Sequence, residues 1–451
     1  MKKNVVDSNS LSAMHAHLAE TVERSLDKAR ALGASQAEVA LTSGEGLSTC
    51  VRMGEVESVK FNQAKALGIT VYFGQHAGTA STSSLDPEAI HKAVGAACDI
   101  ARETEADPCL GLADPQCLAY NYPNLDLYHP EDLPPEYWIS LAKRCESYAR
   151  DIDKRITNSE GVTTHTDQSH HIYGNTHGFV GHFSETHYSM ECALIAEGRE
   201  GMQVGHEYTV ACERNALMSP EALGQAAASQ VLNRLDPQKI HTQKLPVIFK
   251  AEVASSLLNA FIHAITGSNL YQKSSFLLGS LNQRVFPETI DISETPHLMQ
   301  GLHSRPFDAE GVATRAKHFV RKGILENYAL SSYAGRRLGM QTTGNAGGVF
   351  NVAIGTEDLS LASLLKRMDK GILVTELMGH GVQLLTGHYS EGGSGFWVEH
   401  GEIQRPIDEF TIAGNLKDMF MHIVGIGNDV DMRKNMRTGS ILIQEMMIAG
   451  R

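Results

Sequence analysis

LPVIFKAEVASSLLNAFIHAITGS, residues 245–268, is the stretch on which the reading of this chain turns. LPVIF (245–249) is a short continuous apolar run, the pattern of a strand buried on both faces. After it the period changes. Val253, Leu257, Phe261 and Ile265 recur every four residues and form an apolar stripe, which predicts a helix over about 251–266. Ser255, Asn259 and His263 form a polar row beside that stripe, with Glu252 at its start. A buried strand feeding an amphipathic helix belongs to a layered architecture of sheets and packed helices.

Working outward, the N-terminal half repeats the theme. Leu11, Met14, Leu18, Val22, Leu26, Ala29 and Leu32 have helical spacing, with Gly33 as the stop. The runs AEVALT (37–42), LSTCVRM (47–53) and LGITVYF (67–73) alternate as strands, and GQHAG (74–78) reads as a turn into another. Asp86-Pro87 opens a second helix, because proline is tolerated at the first helical position. A helix–sheet–helix module is therefore expected over about 10–104. Residues 105–135, rich in Pro, Asp and Tyr, read as an ordered loop or linker. A helix near 136–150, a strand-rich segment to about 212 and a helix from Ser219-Pro220 follow.

Asp236-Pro237 is the expected boundary between an N-terminal domain, 1–236, and a C-terminal domain, 237–451. In the latter, Lys322-Gly323 and His400-Gly401 mark tight hairpin turns. The fold class expected is α+β, with two domains, each built from a mixed or antiparallel sheet and packed helices.

With 451 residues the chain has ample length for such cores, and 42% hydrophobic against 20% charged residues is an ordinary globular balance. No run of eighteen apolar residues offers a membrane span, and MKKNVVDSNS lacks the apolar centre of a secretory signal. The 39 basic and 52 acidic residues leave a net charge of −13, which argues against wrapping nucleic acid. Seven cysteines, an odd number with no CxxC pair, fit reduced thiols in the cytoplasm. None lies beyond Cys212, so the C-terminal half has no thiolate to offer a metal.

Two segments invite a metal reading. His165, His170, His171, His177, His182 and His187 crowd one region, but alternation there places several on strands with opposite faces, and none forms a helical ligand pair. In VTELMGHGVQLLTGHYSEGGSGFWVEHGE (374–402), His380, His388 and Glu391 could be grouped as ligands. Glycines flank both histidines, however, which implies turns rather than a rigid ligand-bearing helix. The same glycines would let an extended peptide pair along a strand edge, or simply serve a structural hairpin. GNAGG (344–348) has the composition of an anion-cradling loop or an ordinary one. The candidate peptide-binding set is Gly344, Asn345, Gly392, Gly393, Ser394, Gly395 and Phe396. There is no G-x-S-x-G elbow, no P-loop and no complete dinucleotide fingerprint.

Several separated segments together resemble the PmbA/TldD family, and specifically its PmbA (TldE) branch, described as modulators of DNA gyrase. They are 245–268, LGMQTTGNAGG (338–348), the stretch through FWVEHGEI, FTIAGNLKDMF (410–420) and GSILIQEMMIAG (439–450). The resemblance implies an α+β fold and a cytosolic protease system in which TldD-type and PmbA-type chains associate to degrade or mature unfolded peptides. In the TldD branch a helix carries HExxxH, whose two histidines hold a zinc-like ion while the glutamate handles the proton of the attacking water; a late cysteine completes the set. Laid on this chain, the motif is degenerate: Leu258 stands for the first histidine, Asn259 for the glutamate, and only His263 remains. Leucine has no lone pair, and an amide is no general base near neutral pH.

The expectation is a subunit with no catalytic residue and no metal of its own, active as a hydrolase only with a TldD-type partner that carries a zinc-like divalent ion. Its ligand would be a peptide or an unfolded protein, and a homodimer is a further possibility. The alternatives are an autonomous metallopeptidase using His380, His388 and Glu391, or a non-enzymatic regulator of a protein such as gyrase.

Overall fold

The computed structural model describes residues 8–379 and 381–450; His380 lies outside the described residues. In chain order the N-terminal half contains α1 (Ser8–Ala31), β1 (Gln36–Arg52), β2 (Glu55–Phe73), β3 (His76–Thr82) and α2 (Pro87–Glu103). It continues with α3 (Pro135–Asp151), β4 (Ile156–Asn175), β5 (Val180–Gly198), β6 (Gly201–Ala211) and α4 (Pro220–Asn233). The six strands form one antiparallel sheet in the order β3-β2-β1-β4-β5-β6.

Its strands are far longer than the separate short runs expected. β1 spans 17 residues because Ser43-Gly44-Glu45-Gly46, which by composition looks like a turn, continues the strand. Glycine is required there by close approach rather than by bending: a Cβ on Gly46 would lie 2.7 Å from the Thr166 carbonyl of β4. Register decides what each face does. Val39, Leu41, Val51, Ile69, Ile172, Cys192 and Leu194 share one face, and all four helices cover it. The apolar stripes of α1 (Leu18, Val22, Leu26, Ala29) and α2 (Val94, Ala97, Ala101) pack on one half, those of α3 and α4 on the other. The opposite face carries Tyr173 and Phe183, which meet Phe307 and Val312 from the C-terminal half.

The linker-like segment is ordered by its own buried side chains, among them Leu112, Leu118, Leu125 and Leu127. Beyond α4 come β7 (Gln243–Phe249), α5 (Ala251–Ile265), α6 (Gly267–Tyr271), β8 (Ile292–Glu294), β9 (Lys317–Arg321) and β10 (Ile324–Leu325). Then follow α7 (Ser332–Leu338), β11 (Val352–Ile354), α8 (Leu361–Met368), β12 (Gly371–Met378), β13 (Val382–Gln383) and β14 (His388–Glu399). The chain ends with β15 (Glu402–Asn415), α9 (Leu416–Met421), β16 (Ile423–Ile426), β17 (Met436–Arg437) and β18 (Ile441–Ala449). Five short strands pair as β10-β9-β8-β11-β17. The remaining sheet runs β12-β7-β18-β15-β14-β13, and β12 also pairs with β14, so five of its strands close into a ring. One face of the ring packs α5, through Phe249, Ile372, Trp397 and Ile443. The other packs α8, through Ile248, Leu373, Val398 and Leu442. The fold is α+β, as the sequence implied.

Candidate functional site

α5 starts directly after β7, with Glu252 in its first turn, where a carboxylate favours the helix N-terminus. Its core side is Leu257, Leu258, Phe261 and Ile265; the Phe261 ring lies 5.1 Å from Phe286 and 6.1 Å from Phe420. The exposed row is Ser256, Asn259 and His263, one position off the expected row at its first member. Ser255 is buried, and its hydroxyl donates to the Glu252 carbonyl.

Leu258 is therefore in the core and only 3% exposed, whereas Asn259 faces a cleft of about 730 Å³. That cleft lies between the N-terminal sheet and the closed ring. β6 contributes Glu207 and Tyr208, and the end of α4 contributes Arg234. β12 contributes three consecutive residues, Thr375, Glu376 and Leu377, because a register shift between Val374 and Glu376 interrupts strand alternation. Phe396 of β14 and the segment 433–436 close the remaining side.

Its charged groups are tied across the two halves of the chain. Arg234 pairs with Glu376, which also accepts a 3.0 Å hydrogen bond from Ser394. Arg433 pairs with Glu207, donates to the Tyr208 carbonyl at 2.8 Å and lies 4.2 Å over the Tyr208 ring. Arg433 also grips Asp431 through three contacts of 2.8–3.1 Å. Burial opposes the charged form of Asp431, but the hydrogen bonds from Arg433 outweigh it and hold that carboxyl below its usual range. Lys250 pairs with Glu252 Oε1 at 3.0 Å, while the buried Glu252 Oε2 has no partner.

The donor set does not fit a metal at the degenerate motif. Leu258 points into the core, Asn259 into the cleft, and His263 is exposed on α5 but does not line the cleft. Among the described residues no three His, Cys, Asp or Glu side chains come together as a metal would require. His388 and Glu391, the other candidate ligands, lie three apart on β14, one exposed and one buried. Alternation sends them to opposite faces.

Of the two readings open for the glycine-rich stretch 392–395, a free strand edge and a structural hairpin, the pairing is that of the hairpin. Gly392, Gly393, Ser394 and Gly395 are not at a free edge, because β14 pairs with β12 on one side and β15 on the other. Their close approach is to the chain itself: a Cβ on Gly395 would lie 2.0 Å from the Leu373 carbonyl. Only Ser394, through Glu376, and Phe396 bear on the cleft. Gly344 and Asn345 are buried away from it. Asn345 binds Glu294 at 2.9 Å and accepts from Lys317 at 3.0 Å. The GNAGG loop does present a backbone N–H to an anion, but the anion is the chain's own Asp308, which accepts from Ala346 at 2.9 Å. Burial raises the Asp308 carboxyl to about 7 despite that contact.

The cleft residues that the sequence did not single out are Glu207, Tyr208, Arg234, Glu376, Arg433 and Lys434. DMRKN (431–435) is a polar cluster like many surface loops, and nothing local in it points to its partners Glu252 and Glu207, which lie 182 and 226 residues away in the chain.

Family models describing the domain 1, central domain and C-terminal domain of PmbA/TldA metallopeptidase match residues 37–101, 128–235 and 242–450. The chain is 46% identical to Metalloprotease PmbA of Escherichia coli O157:H7 over 98% of both chains. It is 44% identical to a Metalloprotease PmbA homolog of Haemophilus influenzae, again over 98% of both. A solved structure of a candidate modulator of DNA gyrase from Bacteroides thetaiotaomicron superimposes with a TM-score of 0.91 at 28% identity, over 96% of this chain and 98% of that one. TldE from Thermococcus kodakarensis shares the fold, with a TM-score of 0.80 at 18% identity over 95% of this chain and all of that one (100%).

Proposed function

This chain belongs to the PmbA/TldD metallopeptidase family, and from that premise we propose that it is the PmbA (TldE)-type subunit of a two-component peptide hydrolase. It holds an extended peptide in the cleft beside α5, while a TldD-type partner supplies the zinc-like ion and the water-activating base. The supporting observation is the placement of the degenerate motif. Leu258 is packed into the core and the amide of Asn259 is what reaches the cleft, so the two motif positions offer contact but neither a metal ligand nor a base. Phe396, Leu377 and Tyr208 supply apolar contact, and Ser394 fixes the Glu376 carboxylate at the rim. Residues 1–236 and 237–451 act as the two folding units whose junction forms that cleft. The work is placed in the cytoplasm, in keeping with seven free cysteines; among the described residues no helix is long and apolar enough to cross a membrane.

The test is metal content and peptide turnover of the purified chain, alone and mixed with a TldD-type chain carrying an intact HExxxH. The expected result is substoichiometric metal and no turnover alone, with turnover in the mixture. Chelator-sensitive turnover by the lone chain would sink the proposal.

A further inference from the structure

Three of the four cations lining the cleft have carboxylate partners: Arg234 with Glu376, Arg433 with Glu207, and Lys250 with Glu252. Lys434 is the exception. Its ammonium donates to the Glu252 carbonyl oxygen at 2.6 Å and to the Ser255 hydroxyl at 3.3 Å, both neutral acceptors. Among the described residues no carboxylate lies within ion-pair distance of it. The side chain is half-buried, and the nearby Asp431 carboxylate, which feels its charge, is hydrogen-bonded to Arg433 and not to Lys434.

Lys434 is also held in place before any ligand comes. Arg433 on one side is locked to Asp431, Glu207 and the Tyr208 carbonyl. Asn435 on the other donates to the Val349 carbonyl at 2.7 Å and accepts from the Asn351 amide at 2.6 Å. Two of the three ammonium hydrogens are engaged, which leaves one donor. Asn259 stands one helical turn beyond Ser255 on the wall Lys434 touches. Where the resembling motif has a glutamate, this chain has a neutral amide, so no charge at 259 repels an incoming anion.

We infer that Lys434, with Asn259 beside it, anchors a carboxylate of the bound peptide, either its C-terminal α-carboxylate or an acidic side chain. The inference rests on the cleft being a peptide site. It adds a chemical preference and gives the loss of the glutamate a positive role.

The test uses the full chain and one short fluorescent peptide in three forms: free C-terminal acid, C-terminal amide without acidic residues, and the amide with one internal glutamate. The acid is expected to bind about tenfold more tightly than the amide, as one charge-assisted contact gives, with the gap narrowing at high salt. That ratio should fall to about one in Lys434→Met, be kept in Lys434→Arg, and fall in Asn259→Glu. Unfolding midpoints of the variants guard against a folding artefact. Tight binding of the internal-glutamate form would identify a side-chain carboxylate; tight binding of the free acid alone would identify the C-terminus. Equal affinity of all three forms, or a ratio unchanged in Lys434→Met, overturns the anchor while leaving the cleft as a peptide site. Binding of none of them overturns both.

Discussion

The β4–β5 region carries six histidines and α5 carries one, yet it is α5 that borders the cleft. On the strands, alternation separates the rings. His170 and His182 face α1, where His15 Nε2 and His170 Nδ1 each lie 2.7 Å from Ser184 Oγ. On the other face His171 lies 3.1 Å, and His187 3.8 Å, from Glu185, which Arg305 from the C-terminal half also grips at 2.8 Å. His170, His171 and His187 thus join layers, while His15 and His182 line a separate pocket of about 380 Å³. On α5, Ser256 and Asn259 of the exposed row line the larger cleft, while Leu258 between them is covered by the core. Abundance of a chemically able residue is a weaker guide to a site than where the topology leaves a surface uncovered.

The sharpest way to break this contrast is at Leu258. If α5 serves the core at that position, Leu258→Ala should cost about 3 kcal/mol in a denaturant titration. Leu258→His with Asn259→Glu should be destabilised as well and gain no stoichiometric metal. An undiminished unfolding midpoint together with bound zinc would mean that the α5 wall is still metal-competent.

A smaller effect should come from the strand histidines. Burial, followed by the nearby His182 and His170, lowers the His15 imidazole from 6.5 to about 4. Burial lowers His170 and His182 too. For a base whose folded value is depressed, the unfolded chain binds the proton first. Stability is therefore retained above pH 6.5 and lost as pH falls from 6.5 toward 4. Thermal midpoints across that window should decline, and His15→Gln should flatten part of the decline. A wild-type profile that is already flat would show that these rings do not couple α1 to the sheet.

The smallest effect is expected at the cleft rim. The Arg234–Glu376 pair retains 22% and 36% of its side-chain exposure, so Arg234→Ala should cost less than about 1 kcal/mol. A loss of several kcal/mol would mean that the cleft walls are joined as firmly as the layers at Glu185.

Much of the frame was legible because it depends on neighbours in sequence. Asp86-Pro87 and Ser219-Pro220 do begin helices, and the Ser219 hydroxyl accepts from Ala222 N at 3.1 Å. Lys322-Gly323 and His400-Gly401 do form hairpin turns, with φ of 46° and 75° in one and 56° and 72° in the other. What depends on partners far along the chain was not legible. Ser43–Gly46 looked like a break because nothing local says that β4 lies against it. EGGSG was open between a peptide-pairing edge and a structural hairpin, because the pairing of β12 with β14 is set by the closed ring and not by either segment. Arg234 and Lys434 meet one cleft from positions 200 residues apart, with no shared pattern to join them. Degeneracy of the α5 motif followed from the family resemblance, and the polar side of Asn259 from its spacing, but not the burial of Leu258, since adjacent helical positions lie about 100° apart and packing decides which is covered.

The double pairing of β12 has a mechanical consequence. Glu376 and Leu377 pair with Ser394 and Gly393 of β14, and Ile372–Val374 just before them are seamed to β7 as well as β14, so this stretch cannot swing outward without tearing the β14 seam. That makes this side of the cleft an anvil. The wall opposite is less constrained, because β6 is the edge strand of its sheet and pairs with β5.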